Sequence, residues 1–336
     1  MGKSILVTGA SGFIGSFVVE QALCRGYEVW AGIRAASSKR YLKDDRIHFI
    51  EMDFAHTDSL SNVLQQQKEE FGAWDCIVHC AGITKCINKK EFEQGNYLYT
   101  KNFVDALIAL DIVPKQFIYL STLSVAGATQ ETTYQPIKDT DTFAPNTAYG
   151  QSKLKTEQYL ASIPEFPYVF FRPTGVYGPR EKDYFLMAKS VKHHIDFAPG
   201  YKRQDLTFIY VKDLVGAIFL AIKCEVTQRA YFLSDGSTYS SRSFAEYIAR
   251  ELGNPYVLHL QCPLFVLKVI SLCAQFITSC FGKVSTLNAD KYKIMRQRNW
   301  QCDITPITHE LGFRPQYNLG KGVEETIAWY KQEKWL

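Results

Sequence analysis

The sequence predicts an α/β fold, a doubly wound parallel sheet with helices on both faces, followed by a smaller C-terminal domain. Three observations carry this expectation. Short apolar runs alternate with helix-period segments through the first half of the chain, the pattern of repeated strand–helix units. The runs are almost continuously apolar, as in SILVT at 4–8 and FIYL at 117–120, which suits strands covered on both faces. Glycines at positions 9, 12 and 15 fall between the first run and the first helical segment.

Taken in order, the strands are Ser4–Thr8, Glu28–Ile33, Ile47–Met52, Cys76–Cys80 and Gln116–Leu120. Helices Phe13–Arg25, Ser59–Glu70 and Glu91–Leu110 lie between them, and a further helix opens at Tyr149. Beyond Arg172 the alternation loosens and is punctuated by Pro173, Pro179, Pro199 and several glycines. The expected division is therefore 1–172 for the sheet domain and 173–336 for the smaller one. Residues 206–235, with Thr207–Tyr210 and the helix after it, are expected to return to the sheet.

At 336 residues the chain exceeds most single cores and accommodates two. With 46% apolar and 21% charged residues, it is neither disordered nor of low complexity. A net charge of +4 without a dense Lys/Arg stripe argues against a nucleic-acid partner. The nine cysteines are scattered without a C-x-x-C pair, so neither a disulfide framework nor a structural zinc site is expected. Cys76, His79, Cys80 and Cys86 are close in sequence, but the run DCIVHC reads as a buried strand carrying inert thiols. No metal is expected.

The first strand begins within a few residues of Met1, so no signal peptide fits there and a reducing, cytoplasmic setting is the expectation. Pro263–Phe281 is nearly long enough to span a bilayer. Lys268, Ser271, Gln275 and Ser279 recur at three- and four-residue intervals, which marks an amphipathic helix. That helix is expected to pack over the second domain, with a membrane surface as the alternative.

The segment TGASGFIG places Gly9, Gly12 and Gly15 directly after a strand and into a helix. Glycines there permit a tight turn and close backbone approach, while the helix N-terminus favours a pyrophosphate. Gly9, Ser11, Gly12, Phe13, Ile14 and Gly15 are the candidate cofactor contacts. At the end of the second strand a carboxylate would suit the ribose hydroxyl of NAD, and an arginine the 2′-phosphate of NADP. Here Arg34 is followed by Ser37, Ser38, Lys39 and Arg40, and no acid lies between Glu28 and Asp44. NADP is preferred over NAD, with a solvated basic loop as the plain alternative.

Tyr149 and Lys153 in YGQSK lie four residues apart, on one face of a helix. A tyrosine can donate a proton to a carbonyl oxygen, and a neighbouring lysine stabilises its phenolate. Tyr97/Lys101, Tyr134/Lys138, Tyr317/Lys321 and Tyr330/Lys334 share the spacing. Only Tyr149 follows a hydroxyl-rich strand end, STLSVAG, at the sheet's carboxyl edge, where ligands of such folds bind.

The glycine turn and the YGQSK segment resemble the short-chain dehydrogenase/reductase superfamily, a Rossmann-type fold. RPTGVYGP at 172–179 narrows this to the extended branch of epimerases, dehydratases, dihydroflavonol reductase-like and 3β-hydroxysteroid dehydrogenase-like enzymes. The resemblance covers nearly the whole chain. It implies that Thr122, five residues before Gly127, is the catalytic hydroxyl beside Tyr149 and Lys153, with Ser121 and Ser124 as alternatives. It further implies cofactor contacts from Asp53, Phe54, Ala81, Gly82, Pro173 and Val176, and a homodimer formed through Glu91–Leu110 and Tyr149–Ser162.

Departures from that pattern narrow the reaction. The Asp-Glu pair of dehydratases is replaced by Leu123 and Ser124. The asparagine and arginine by which epimerases hold a diphosphate are replaced by Gly175 and Leu206, leaving Arg180, Lys202 and Arg203 as substitutes. The reading is an NADP-linked oxidoreductase acting on a carbonyl or secondary alcohol of a fairly apolar small molecule. A nucleotide-sugar epimerase using NAD is the enzymatic alternative. A non-catalytic dinucleotide-binding protein is the other, against which the intact Thr122, Tyr149 and Lys153 argue.

Overall fold

The computed structural model describes residues 3–253, 256–280 and 287–336, without the side chains of 277, 279 and 280. In chain order come β1 (Ser4–Thr8), α1 (Phe13–Cys24), β2 (Glu28–Ile33), β3 (Ile47–Glu51), α2 (Thr57–Phe71) and β4 (Cys76–His79). A short α3 (Lys90–Phe92) runs through a π-helical turn, Glu93–Leu98, into α4 (Tyr99–Ala109), followed by β5 (Gln116–Leu120), α5 (Ala148–Ser162) and β6 (Tyr168–Pro173). The chain continues through β7 (Gly175–Tyr177), α6 (Asp183–Lys192), β8 (Ile195–Pro199), β9 (Phe208–Tyr210), α7 (Val211–Lys223) and β10 (Arg229–Leu233). It ends with α8 (Ser243–Leu252), β11 (Leu258–Cys262), α9 (Leu264–Cys280), α10 (Ala289–Arg296), α11 (Thr305–Leu311) and α12 (Leu319–Gln332).

Seven strands form one sheet in the order β10-β6-β5-β4-β1-β2-β3, with every neighbouring pair parallel. The chain starts at β1 inside the sheet, winds outward to β3, then crosses to β4 and winds the other way. The β1/β4 junction is therefore a topological switch point, and a crevice opens there beyond the strand carboxyl ends. The expected α/β architecture is the one observed.

Helices cover both faces because both faces are apolar. On one side Val18, Val19 and Ala22 of α1 meet Ala217, Ile218 and Ala221 of α7, all fully buried. On the other, Leu60 and Leu64 of α2 meet Phe103, Val104 and Leu107 of α4. After residue 206 the chain comes back to the sheet: α7 packs on α1, and β10 adds to the edge beside β6. A third core joins β7, β9, α6, α8 and α12 around Tyr177, Tyr210, Phe244 and Val323. Two small parallel pairs, β7 with β9 and β8 with β11, complete this part.

The amphipathic helix expected within Pro263–Phe281 is α9. Ser271 of α9 is fully buried, with its hydroxyl donating to the Leu267 carbonyl at 2.7 Å. Gln275 Oε1 accepts the Ala289 N–H at 3.1 Å. The polar positions thus turn toward α10, except Lys268, which is exposed, while Phe265, Val269, Leu272 and Phe276 face solvent. The side of α9 that meets the domain thus combines the buried Leu267 and Ser271 with Gln275, which receives the first amide of α10. The Ser279 side chain and Phe281 lie outside the described residues. Among the described residues no helix is long and apolar enough to cross a membrane.

Candidate active site

The glycine turn is built for close approach. Gly9 has φ +64°, and a β-carbon there would lie 2.8 Å from the Ala81 nitrogen. A β-carbon on Gly15 would overlap the Gly9 carbonyl, so only glycine lets α1 begin this near β1. Gly12 caps α1 with no side-chain hydrogen bond to its first turn. The amides around Phe13 and Ile14 therefore keep their N–H groups for an anion, and no acid in the first turn opposes one. Ser11 is half-buried beside them. This cradle fits the pyrophosphate of a dinucleotide.

Arg34 is exposed at the end of β2, its amide donating to Ser37 Oγ at 3.1 Å. The rest of the basic cluster points elsewhere: Arg40 pairs with Glu333 at 3.0 Å, and the Lys39 ammonium lies 4.0 Å from the Phe49 ring centroid. Asp53 accepts from the Ala55 amide at 3.0 Å and pairs with His56 at 2.8 Å. Those two hydrogen bonds, helped by the Arg34 charge, hold its carboxyl below the usual range. Phe54 packs its ring against Phe103 and His79.

Beyond β4, Ala81 donates its amide to Thr8 Oγ1 at 3.3 Å. Thr8 in turn faces His79 Nδ1 at 2.8 Å, and His79 Nε2 faces Thr100 Oγ1 at 3.0 Å. Thr100 donates to the Asn96 carbonyl at 2.7 Å, which leaves Nε2 as the protonated nitrogen. Burial lowers the His79 pKa to about 3, so it is a neutral internal strut. Asn96, fully buried in the π-helical turn, accepts from the Ile83 amide at 2.8 Å and donates to Ser152 Oγ at 3.0 Å. A β-carbon on Gly82 would lie 2.8 Å from Asn96 Oδ1 and 3.3 Å from Lys153 Nζ. The backbone at Ala81–Gly82 thus runs directly over the lysine.

Thr122 opens a short turn after β5, its hydroxyl accepting from the Ser124 amide at 3.2 Å. Thr147 caps α5 by accepting the Gly150 amide at 3.0 Å. The phenol of Tyr149, on the first turn of α5, is pushed up to about 12 by burial, against the opposing effect of the neighbouring Thr122 hydroxyl. The phenol is therefore a proton donor through the neutral range. Lys153, one turn further, is buried and donates to the Leu120 carbonyl at 2.9 Å. Burial lowers its pKa to about 8, against the opposing pull of Cys80 and Glu157.

Two buried groups beneath the lysine went unread in the sequence. Glu157 receives Arg172 Nη2 at 2.6 Å, Arg172 Nε at 3.1 Å and the Ser121 hydroxyl. Arg172 also lies 4.7 Å from the Phe143 centroid. The spacing of Glu157 from Lys153 along α5 was the available signal. Ser121 is thereby committed to Glu157; Thr122 and Ser124 both line the cavity beside the centre, and Thr122 is the hydroxyl that acts on the Tyr149 phenol. Asn96 had its own signal, an amide side chain within an otherwise helical stretch.

A cavity of about 360 Å³ opens beside Thr122. Pro173 and Leu123 form its near wall; Phe197, Leu206, Phe208, Phe244, Met295 and Trp300 supply much of the remainder, interspersed with Ser124, Thr174, Gln204, Thr207 and Ser241. Val176 lies on β7, packed against the core that includes Phe13 and Ile14, away from the cavity wall. Among the described residues that line the cavity, Lys291 alone is charged, and it pairs with Asp183 at 3.4 Å. A β-carbon on Gly175 would strike the Tyr184 hydroxyl, so an asparagine there requires the Tyr184 side chain to shift. The substitute cations do not reach the cavity. Arg180 donates to Ser16 Oγ at 2.9 Å and lies over Phe17, and Arg203 pairs with Asp205 at 2.6 Å.

A dinucleotide cradle joined to a buried Tyr–Lys centre and an adjoining cavity defines a nicotinamide-dependent enzyme. The chain belongs to the NAD dependent epimerase/dehydratase family, whose model matches residues 5–232. It is 28% identical to a UDP-glucose 4-epimerase of Vibrio cholerae, over 99% of this chain and 97% of that one. It is 24% identical to a decarboxylating sterol-4-alpha-carboxylate 3-dehydrogenase of Dictyostelium discoideum, over 96% and 99% of the two chains. In structure it resembles a dTDP-glucose 4,6-dehydratase of Bacillus anthracis in complex with NAD, with TM-score 0.77, 18% identity and coverage of 99% and 98%.

Proposed function

We propose that the protein is an NADP-linked oxidoreductase acting on a ketone, aldehyde or secondary alcohol of a fairly apolar small molecule. The observation that carries this is the wall of the cavity beside Thr122, rich in aromatic and aliphatic side chains and with one, already paired, cation. A nucleotide sugar brings a diphosphate, whose burial demands cationic partners. Gly175 and Leu206 supply none, and Arg180 and Arg203 are engaged elsewhere.

When bound, the nicotinamide exchanges a hydride with the substrate carbon. Tyr149 delivers the proton to the carbonyl oxygen in reduction and recovers it from the hydroxyl in oxidation. The Thr122 hydroxyl holds that oxygen, and the charge of Lys153 stabilises the phenolate. Arg34 is the group suited to a ribose 2′-phosphate, since it is exposed and its neighbouring cations are directed away.

Epimerisation of a nucleotide sugar is the second reading, favoured by the 28% identity to the Vibrio cholerae enzyme. A screen of apolar ketones and aldehydes against nucleotide sugars, read by NADPH consumption and by sugar isomer ratio, separates the two. The proposal expects NADPH consumption with the carbonyl compounds, abolished in Tyr149→Phe while NADPH binding survives. Interconversion of a nucleotide sugar without net cofactor turnover would overturn it.

A further inference from the structure

α9 and the β8/β11 pair carry half of the large apolar side chains exposed on the described surface. Phe265, Val269, Leu272 and Phe276 follow one another at four-, three- and four-residue steps, so they share one side of α9, and their exposures run from 49% to 72%. The adjoining strands continue it. Leu260 pairs in register with Phe197, and these two with Leu258 are exposed, while Asp196 and Ala198 between them point inward. Leu264 packs against Gly200, which draws the start of α9 onto the end of β8.

Charge is distributed on one pattern around this face. Residues 256–280 contain no Asp or Glu. The nearby carboxylate of the strand pair, Asp196, is buried and bonded to His259 Nδ1 at 2.9 Å. Lys268 is exposed at the border of the apolar stripe, in a cleft shared with Lys293 and Arg296 of α10, and Lys202 is exposed beside Tyr201, itself 68% exposed. Apolar side chains bordered by cations, with acids withdrawn, complement the interface of an anionic bilayer. A second copy of the chain would bring like cations against like.

We propose that this face docks the protein on the surface of an anionic lipid bilayer, α9 lying in the interface plane with Phe265 and Leu272 buried among the acyl chains. Phe197 belongs both to this face and to the wall of the cavity beside Thr122. Docking therefore sets the cavity against the membrane, and a lipid-dissolved substrate reaches Thr122 without crossing water. The docking itself stands on the surface alone and does not require the cavity's substrate to be apolar.

The test is flotation of the full chain with vesicles of phosphatidylcholine alone or with about one quarter phosphatidylglycerol. The protein should float with the anionic vesicles. Phe265→Ser combined with Leu272→Ser should reduce partitioning about tenfold or more, because two large apolar groups no longer leave water. Lys268→Glu should reduce it by several-fold, in a salt-dependent way. Both variants change exposed positions, and an unaltered thermal melt verifies their fold. Absence of wild-type flotation overturns the proposal. So does a lipid-free sedimentation mass that falls from dimer to monomer in the double variant, since a second copy would then own the face.

Discussion

Gly150 lies so close to Ser124 that a β-carbon on it would stand 2.5 Å from the Ser124 carbonyl oxygen. That contact seats the first turn of α5 on the turn that carries Thr122, and it is why the Tyr149 phenol reaches the threonine hydroxyl. Gly150→Ala should push the helix away. The expected result is a fall in kcat of about tenfold or more, with NADPH affinity little changed, because a small displacement of the proton donor is costly. Steady-state kinetics beside a fluorescence titration checks both halves.

The Arg34 assignment makes a separable prediction. Arg34→Ala should weaken NADPH binding by about tenfold or more, as expected for loss of a charge-assisted contact to phosphate. NADH binding should hardly change. Equal affinities of the wild type for the two cofactors would remove Arg34 from the site.

Lys153 has a signature in stability. Burial lowers its pKa to about 8 from the ordinary 10.5, so between those values the unfolded chain binds the proton and the folded chain does not. Stability from this group therefore rises with pH across that window and is flat below it. In urea unfolding of the cofactor-free protein, the wild type should gain on Lys153→Met from about pH 8 to 10.5. A gap that narrows across that window would contradict the burial argument.

Glu157 and Arg172 form a buried pair under the catalytic helix, with side-chain exposures of 3% and 10%. Glu157→Gln leaves the guanidinium uncompensated and should cost about 3–5 kcal/mol. Replacing both residues with apolar ones should cost less, because no buried charge is then stranded. Chemical denaturation of the single and double variants measures the difference.

The half of the chain that winds the sheet was legible because its signals are local and periodic. Strands such as Gln116–Leu120 are almost wholly apolar, and Gly9 and Gly15 answer a backbone requirement that no other residue meets. Helix limits shifted by only a residue or two, as with α1 and α2. The π-helical turn at Glu93–Leu98 was invisible, since the bonds that Asn96 makes within it reach Ile83 and Ser152, both distant in sequence. The seating of α9 was not legible either. Periodicity finds an amphipathic helix, but which side faces the protein depended on the polar surface presented by α10. The cavity wall was the least legible feature, because Phe197, Phe244 and Trp300 come from three separate elements that only the fold assembles.

The most direct test is a crystal structure of the protein with NADP. The account predicts the pyrophosphate on the amides at Gly12–Ile14 and the 2′-phosphate on Arg34. It predicts the Tyr149 hydroxyl within about 3–4 Å of the substrate oxygen position beside nicotinamide C4, as a reacting geometry requires. A dinucleotide bound with its nicotinamide remote from Tyr149 and Thr122, or its 2′-phosphate remote from Arg34, would contradict it.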